Sequence, residues 1–554
     1  MWRCPPQARS VTLDELLTPS LAAWLQDAPE PQRYRTAAEL DAVVDRWAGA
    51  GARVTTLGYS REGRAIRAVS FGSGARSLLA WGYPHPDEPL GAEALAWLGD
   101  ALAAGRLADL EGWTAHLVLC ADPDEVQRNA GFLHGPRTAE AFVRGCWRPQ
   151  HIGREVDYGL ELDWGPIVPL PCDLAGVITR CASPAECSRR CGPGGCRTRH
   201  LPHRPSPESA ALAAAFDLFR PDVAATMHGI SIGASYTFLL HRERGEVLDD
   251  LLAIPAAAGA GRYLGEPIDA GRRWRTREPD LIRERGLAHR MRTLTDGSYD
   301  PELVYYTPVS VATYLEAQGR GGQLVTPEAA QFRHPDFSDP SPAGDTETVL
   351  VSVEERRRGR YRVTRVRVDD GWVVAHQDRV GDDEPLRSPT RVTTPVTRGM
   401  LGVRALARRR RVLAAADEIW ATLDGRPWLV GHPYLAERWA TTVPGGYVHD
   451  RSMLIFRTRS DYRRPASVAQ RAAFTWRWPL HTASLLGNLR TFLAVQDHDR
   501  PQIVEAIARV EALQDAELAE LPAELLVEAP RGPALRCMLA RVLRVMLARD
   551  AASP

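Results

Sequence analysis

The stretch Leu78-Leu-Ala-Trp-Gly-Tyr-Pro-His-Pro-Asp-Glu-Pro-Leu-Gly-Ala92 decides how the chain is read. It opens as a short apolar strand, breaks at Gly82 and Pro84, and presents His85 and Glu88. After Pro89 it passes into a helical pattern carried by Ala92, Leu95, Ala96, Leu98 and Leu102. An imidazole and a carboxylate three residues apart in a strand-to-helix turn can close on one metal ion. Pro86 and Pro89 narrow the backbone freedom of that turn, so the two ligands are partly preorganised. A solvated ion pair on a surface turn would show the same four residues, so the surrounding chain has to decide.

Upstream, 11–30 reads as an amphipathic helix and 37–48 as a second one, followed by strands at 52–58 and 65–72 around the turn Ser60-Arg-Glu-Gly-Arg64. Downstream, Ala115-His-Leu-Val-Leu-Cys120 reads as a buried strand ending at Asp122-Pro-Asp124. Residues 130–205 carry little periodicity and much Pro, Gly and Arg, and are expected to form long loops. A helix at 208–219 leads to the strand Val223-Ala-Ala-Thr-Met227, which ends at His228-Gly229. A helix is expected at 246–262, and a strand at Ser310-Val-Ala-Thr-Tyr-Leu315 carries Glu316. From 346 to 380 the alternation is strongly β, an Arg-rich helix follows at 403–422, and amphipathic helices are expected at 484–496, 502–520 and 534–549.

Alternating strands and helices predict an α/β fold with a mixed, mostly parallel central sheet flanked by helices, plus a helical C-terminal region. At 554 residues more than one domain is expected. The divisions are a helical extension 1–30, a catalytic domain 31–425 holding a Cys-rich insertion (172–204) and the β-rich segment 346–380, and a helical domain 426–554.

The 44% apolar and 25% charged fractions are those of an ordinary globular protein. A formal net charge of zero gives no electrostatic footprint for nucleic acid or an anionic membrane. All 69 basic residues are Arg, which reads as codon bias and implies no function. Nine Cys, an odd number and half of them bunched, do not make a secreted disulfide framework. The first ten residues lack an apolar core for a signal peptide, and no run of about 18 apolar residues exists, so a cytoplasmic location is expected.

His85, His228 and Glu316 each stand at or just past the end of a short apolar run, the edge where open α/β sheets bind ligands. A catalytic zinc needs three protein ligands and an open position for water, with a separate carboxylate to take the water proton. The order His85, Glu88, His228, Glu316 offers one residue for each role.

On these residues the chain resembles the zinc metallocarboxypeptidase family (carboxypeptidase A-like). The matching pieces are the hairpin Gly58-Tyr-Ser-Arg-Glu-Gly-Arg64, the turn with His85 and Glu88, Arg220-Pro-Asp222 ahead of His228-Gly229, and Thr313-Tyr-Leu-Glu316. Together they cover roughly residues 31–330. The resemblance implies one catalytic Zn²⁺ on His85, Glu88 and His228, with Glu316 as general base and a peptide as substrate. It also implies a cation near the metal, for which Arg128 is the candidate, although an ordinary surface Arg would look the same.

The chain departs from the family where an Asn-Arg pair grips the substrate carboxylate: its only two Asn are Asn129, followed by Ala130, and Asn488, followed by Leu489. Arg148 is the candidate replacement through a bidentate contact, and Tyr299 (or Tyr305 or Tyr306) a candidate for the substrate side. The missing pair leaves open a deacylase or amidase of the aspartoacylase type, and a non-catalytic binding protein remains a third reading. The cluster Cys181, Cys187, Cys191, Cys196, His200 and His203 matches no regular zinc knuckle and is read as part of an insertion, with no second zinc expected.

Overall fold

The computed structural model describes residues 11–146, 156–158, 206–239, 245–262, 281–283, 322–339, 341–343, 346–356, 361–368, 371–379, 392–399, 468–472, 486, 490, 501–519 and 527–551. Expectations for the Cys cluster, the strand 310–315, the helix 403–422 and the boundary near 425 fall outside these residues.

The strands of the main sheet are β1 (Arg53–Tyr59), β2 (Ala65–Phe71), β3 (Arg76–Gly82), β4 (Trp113–Val118), β5 (Val223–Ile232), β6 (Tyr236–Leu239), β7 (Leu281–Arg283) and β8 (Gln323–Arg333). They are ordered β1-β2-β4-β3-β5-β8-β6-β7. The parallel pairs β4-β3-β5-β8 form the centre, and β1 and β2 make an antiparallel hairpin on one flank. Central position explains the composition of β3, whose Leu78, Leu79, Ala80 and Trp81 are all fully buried because both faces are covered.

Helices α1 (Ala37–Gly49) and α2 (Leu90–Ala103) cover one face, and α4 (Pro207–Phe219) covers the other; α3 (Pro123–Arg128) follows β4. Alternation along β5 sorts its residues between these layers. Val223, Ala225 and Met227 join the core with α2, whereas Ala224 joins the core with α4. His228 has the parity of Ala224, so it stands on the α4 side. Gly91 permits the tight seating of α2 on β5, since a Cβ there would lie 2.1 Å from the Met227 carbonyl oxygen. The single N-terminal helix expected over 11–30 is two, Leu13–Leu16 and Pro19–Gln26, because Thr18 caps a new helix with Pro19 in its first turn.

The main departure from the sequence reading is β8, a central strand at 323–333 that alternation did not reveal. It contains Pro327 and two Ala, and proline in a central strand argues against such an assignment. The structure accommodates it by a gap in the ladder: β8 pairs with β5 through Val325 and again from Glu328, with no pair between.

Helix α5 (Gly245–Ala257) is followed, beyond β8, by residues 334–526, which lie between β8 and its return partner β13 (Val527–Glu528). This stretch holds a separate antiparallel sheet in the order β11-β10-β9-β12, built from β9 (Thr346–Arg356), β10 (Tyr361–Val368), β11 (Gly371–Arg379) and β12 (Val392–Gly399). Its helix α6 (Pro501–Ala519) docks on helix Ala139–Gly145, where Gln514 Nε2 donates to the Val143 carbonyl at 3.3 Å and Arg144 pairs with Asp515 at 2.9 Å. The last helix, α7 (Arg531–Ala551), packs in the main core against α2, α5 and β8, burying Leu535, Met538, Leu539, Val542 and Met546. Among the described residues no helix is long and apolar enough to cross a membrane.

On β4, His116 is buried against Phe219 with ring centroids 3.8 Å apart, and its Nδ1 lies 2.8 Å from Ser70 Oγ. Burial, then the charge of Arg53, lowers its pKa from 6.5 to about 4. The folded state therefore resists a proton that the unfolded chain accepts, so stability is full above about pH 6.5 and falls as pH drops toward 4. The loss amounts to about 3 kcal/mol at most. Urea titrations at pH 7 and pH 4.5 should show a smaller acid loss in His116→Phe than in the parent; equal losses would contradict this assignment.

Candidate metal centre

β3 ends at Gly82 and delivers the turn that carries His85 and Glu88, while β5 delivers His228. All three side chains are buried, and their donor atoms lie within 4.8 Å of one another. Glu88 sits between the two imidazoles: its Oε1 is 2.9 Å from His85 Nδ1 and its Oε2 is 2.9 Å from His228 Nδ1. The backbone N–H of Gly229 also donates to Oε2 at 2.9 Å. Both rings thus turn Nδ1 toward one carboxylate, with their centroids 4.8 Å apart.

The other face of His228 is held by a residue the sequence reading passed over. Asp157, in the short 3-10 turn Val156–Tyr158, accepts from His228 Nε2 at 2.8 Å and from Thr226 Oγ1 at 2.6 Å through Oδ2. Its Oδ1 accepts from Trp81 Nε1 at 2.8 Å. Burial disfavours charge on His228, but Glu88 and Asp157 outweigh it and hold the imidazolium well above the usual pKa of 6.5. For Asp157, burial acts upward, and the hydrogen bond and charge of His228 overcome it, lowering its pKa. A carboxylate on Nε2 fixes the ring so that Nδ1 is the coordinating atom, the usual support of a metal-binding histidine.

A second carboxylate missed from sequence is Glu328 on β8. Sheet register places it beside His228, and its Oε1 is 4.0 Å from His228 Nδ1. Its one signal in sequence was Thr326-Pro-Glu328 inside an apolar run, masked by the proline.

The structure therefore brings His85, Glu88 and His228 together. Arg128 is half exposed, and its guanidinium is turned to Glu62 at 3.0 Å and Glu125 at 3.5 Å. Arg148, Tyr299, Tyr305, Tyr306 and Glu316 lie outside the described residues. The hairpin Gly58–Arg64 braces the segment after β4: Ser60 Oγ donates to Asp124 at 2.7 Å, the Glu62 N–H donates to Asp124 at 2.8 Å, and Arg61 lies between Glu208 and Glu125.

The donor set fits a divalent ion: two neutral imidazole nitrogens and one carboxylate make a common catalytic zinc set, and the second carboxylate, Asp157, supports one of them. Binding requires His228 to give up its Nδ1 proton.

No family model and no curated protein matches this chain. Among solved structures it is similar to the carboxypeptidase A from Helicoverpa armigera, at 15% identity over 58% of this chain and 71% of that one, with a TM-score of 0.32. It is also similar to a metallo-carboxypeptidase from Burkholderia cenocepacia, at 16% identity over 54% of this chain and 59% of that one, with a TM-score of 0.27. Bovine thrombin-activatable fibrinolysis inhibitor is similar at 14% identity over 53% of this chain and 86% of its own, with a TM-score of 0.27.

Asp157→Asn should lower divalent-ion affinity by about 10–100-fold, because the neutral amide no longer stabilises the orientation and basicity of His228. Competition with a chromophoric chelator measures this, and an unchanged affinity would remove Asp157 from the site.

Proposed function

We propose that this chain is a zinc-dependent hydrolase of amide bonds, acting on a peptide or a small peptide-like molecule. One observation carries the reading: the donor atoms of His85, Glu88 and His228 converge to within 4.8 Å of one another in a buried site where the turn after β3 meets the middle of β5. A zinc ion held there would supply a Lewis acid for the scissile carbonyl and a water acidified toward a pKa of about 7.

Glu328 takes the part of general base in this proposal, in place of the Glu316 expected from sequence, because β8 sets it beside His228. Its carboxylate accepts the proton of the attacking water as the new C–O bond forms. It returns that proton to the amine nitrogen as the C–N bond breaks. Asp157 keeps His228 oriented throughout.

A second reading, hydrolysis of an N-acyl amino acid, is favoured by the fate of Asn129. This residue is fully buried and its amide is committed to the Pro86 carbonyl at 3.0 Å, so it is not presented to a substrate carboxylate. Arg148 is the proposed substitute contact in the peptidase reading.

Glu328→Gln should reduce kcat by about 10²–10⁴-fold with ion content retained, while Glu316→Gln stays near the parent. The reverse pattern would return the base to Glu316. Removing the ion with a chelator should abolish turnover, and Zn²⁺ should restore it. Comparing a blocked dipeptide bearing a free carboxylate with its C-terminal amide separates the substrates: a preference for the free acid supports the peptidase. Turnover of an N-acetyl amino acid alone supports the deacylase, and turnover of none of them contradicts both readings.

A further inference from the structure

We propose that Asn129 and Gln331 are positioning residues that set the spacing of the two ligands on the 85–88 turn and tie that turn to the strand bearing Glu328. The inference rests on the ion-binding reading of the site.

Three prolines leave the turn few backbone donors with which to hold its own shape. Pro84, Pro86 and Pro89 have no N–H to give, and a backbone bond within the turn runs from Glu88 N to the His85 carbonyl at 3.2 Å. Its entry is unfavourable, since Tyr83 sits at φ +50° in the left-handed region, which a residue with a Cβ avoids. The Tyr83 hydroxyl donates to the Arg35 carbonyl at 2.9 Å, and the Ala121 N–H donates to the Gly82 carbonyl at 3.1 Å, so the entry is pinned from outside.

Two residues separate the ligands, Pro86 and Asp87, and the carbonyl of each is gripped by a buried side-chain amide. Asn129 Nδ2 donates to Pro86 at 3.0 Å from the end of α3. Gln331 Nε2 donates to Asp87 at 2.7 Å from β8. Asn129 is 0% exposed and Gln331 1%. Burying an N–H donor without a partner is unfavourable by a few kcal/mol, so each side-chain N–H favours the carbonyl position that pairs it. Together they fix the peptide units between His85 and Glu88.

Gln331 has a second consequence, being on the strand of Glu328 and three residues beyond it. Its bond to Asp87 fastens the proposed base to the ligand turn. The Gln331 carbonyl in turn accepts from Ala529 N at 2.8 Å, where the chain re-enters the core after residues 334–526.

The test uses the full chain stripped by a chelator, with Zn²⁺ titrated against a chromophoric competitor and Co²⁺ absorption recorded alongside. Asn129→Leu and Gln331→Met remove the donors at similar volume. Gln514→Met is the control, since Gln514 is an equally buried amide whose carbonyl partner, Val143, lies away from the turn. The expected result is a 10–100-fold rise in the Zn²⁺ Kd and an altered Co²⁺ spectrum for the two turn variants, with the control unchanged in both. Parent-like Kd and spectrum in the turn variants, with only melting temperature lowered as in the control, would overturn the proposal. Asn129→Asp and Gln331→Glu, which keep shape and replace donor by acceptor, are read in the same way if the apolar variants do not fold. A parent chain that binds no Zn²⁺ would remove the ion site and this inference with it, an outcome distinct from a binding parent with undisturbed variants.

Discussion

The structure depends on one buried electrostatic arrangement: the Glu88 carboxylate held between His85 and His228, with Asp157 on the far side of His228. Charges taken out of water cost several kcal/mol each unless opposite charges and hydrogen bonds meet them. Here each charged group has that compensation in reach, and the elements around the site are arranged to provide it. β3 and its turn bring Glu88, β5 brings His228 and the Gly229 N–H, and the turn at 156–158 brings Asp157. Parallel pairing sets Gly82 at the end of β3 opposite Met227 of β5, so the turn after β3 opens beside His228, which is why the fold and the site cannot be separated.

The last helix gives the same core an unusual chain path. Residues 334–526 depart from the end of β8 and return beside it as β13, after which α7 closes the face that carries α2. A chain that leaves and re-enters at one strand end leaves the core topology intact, since only the ends of the excursion must lie close together. The cost falls on β8, whose final residues are fixed by pairs with Val527 and Glu528 from the far side of that excursion.

Much of this was legible in the sequence, for local reasons. His85 and Glu88 announced themselves because a strand, a Pro-rich turn and an amphipathic helix follow one another within fifteen residues. His228 was found because β5 begins with the short strand pattern Val223-Ala-Ala-Thr-Met227. The residues missed have non-local causes. Glu328 follows Pro327, whose place in a central strand depends on a gap in the ladder to β5 that no propensity encodes. Asp157 lies in a three-residue turn amid aperiodic sequence, and its role comes from Trp81, Thr226 and His228, all remote in the chain. Arg128, placed by its position after Asp122-Pro-Asp124, pairs with Glu62 of the hairpin. Helix α7 was visible as a helix, but its partner in the core was not, because an apolar face does not name what it packs against.

The central claim is that one ion sits among His85, Glu88 and His228. Anomalous diffraction at the zinc absorption edge, from crystals of the full chain grown with Zn²⁺, addresses it directly. The account predicts a single strong peak about 2.0–2.2 Å from His85 Nδ1, a Glu88 carboxylate oxygen and His228 Nδ1. Density showing the Glu88 carboxylate still bridging the two imidazoles, with no peak between them, would contradict it.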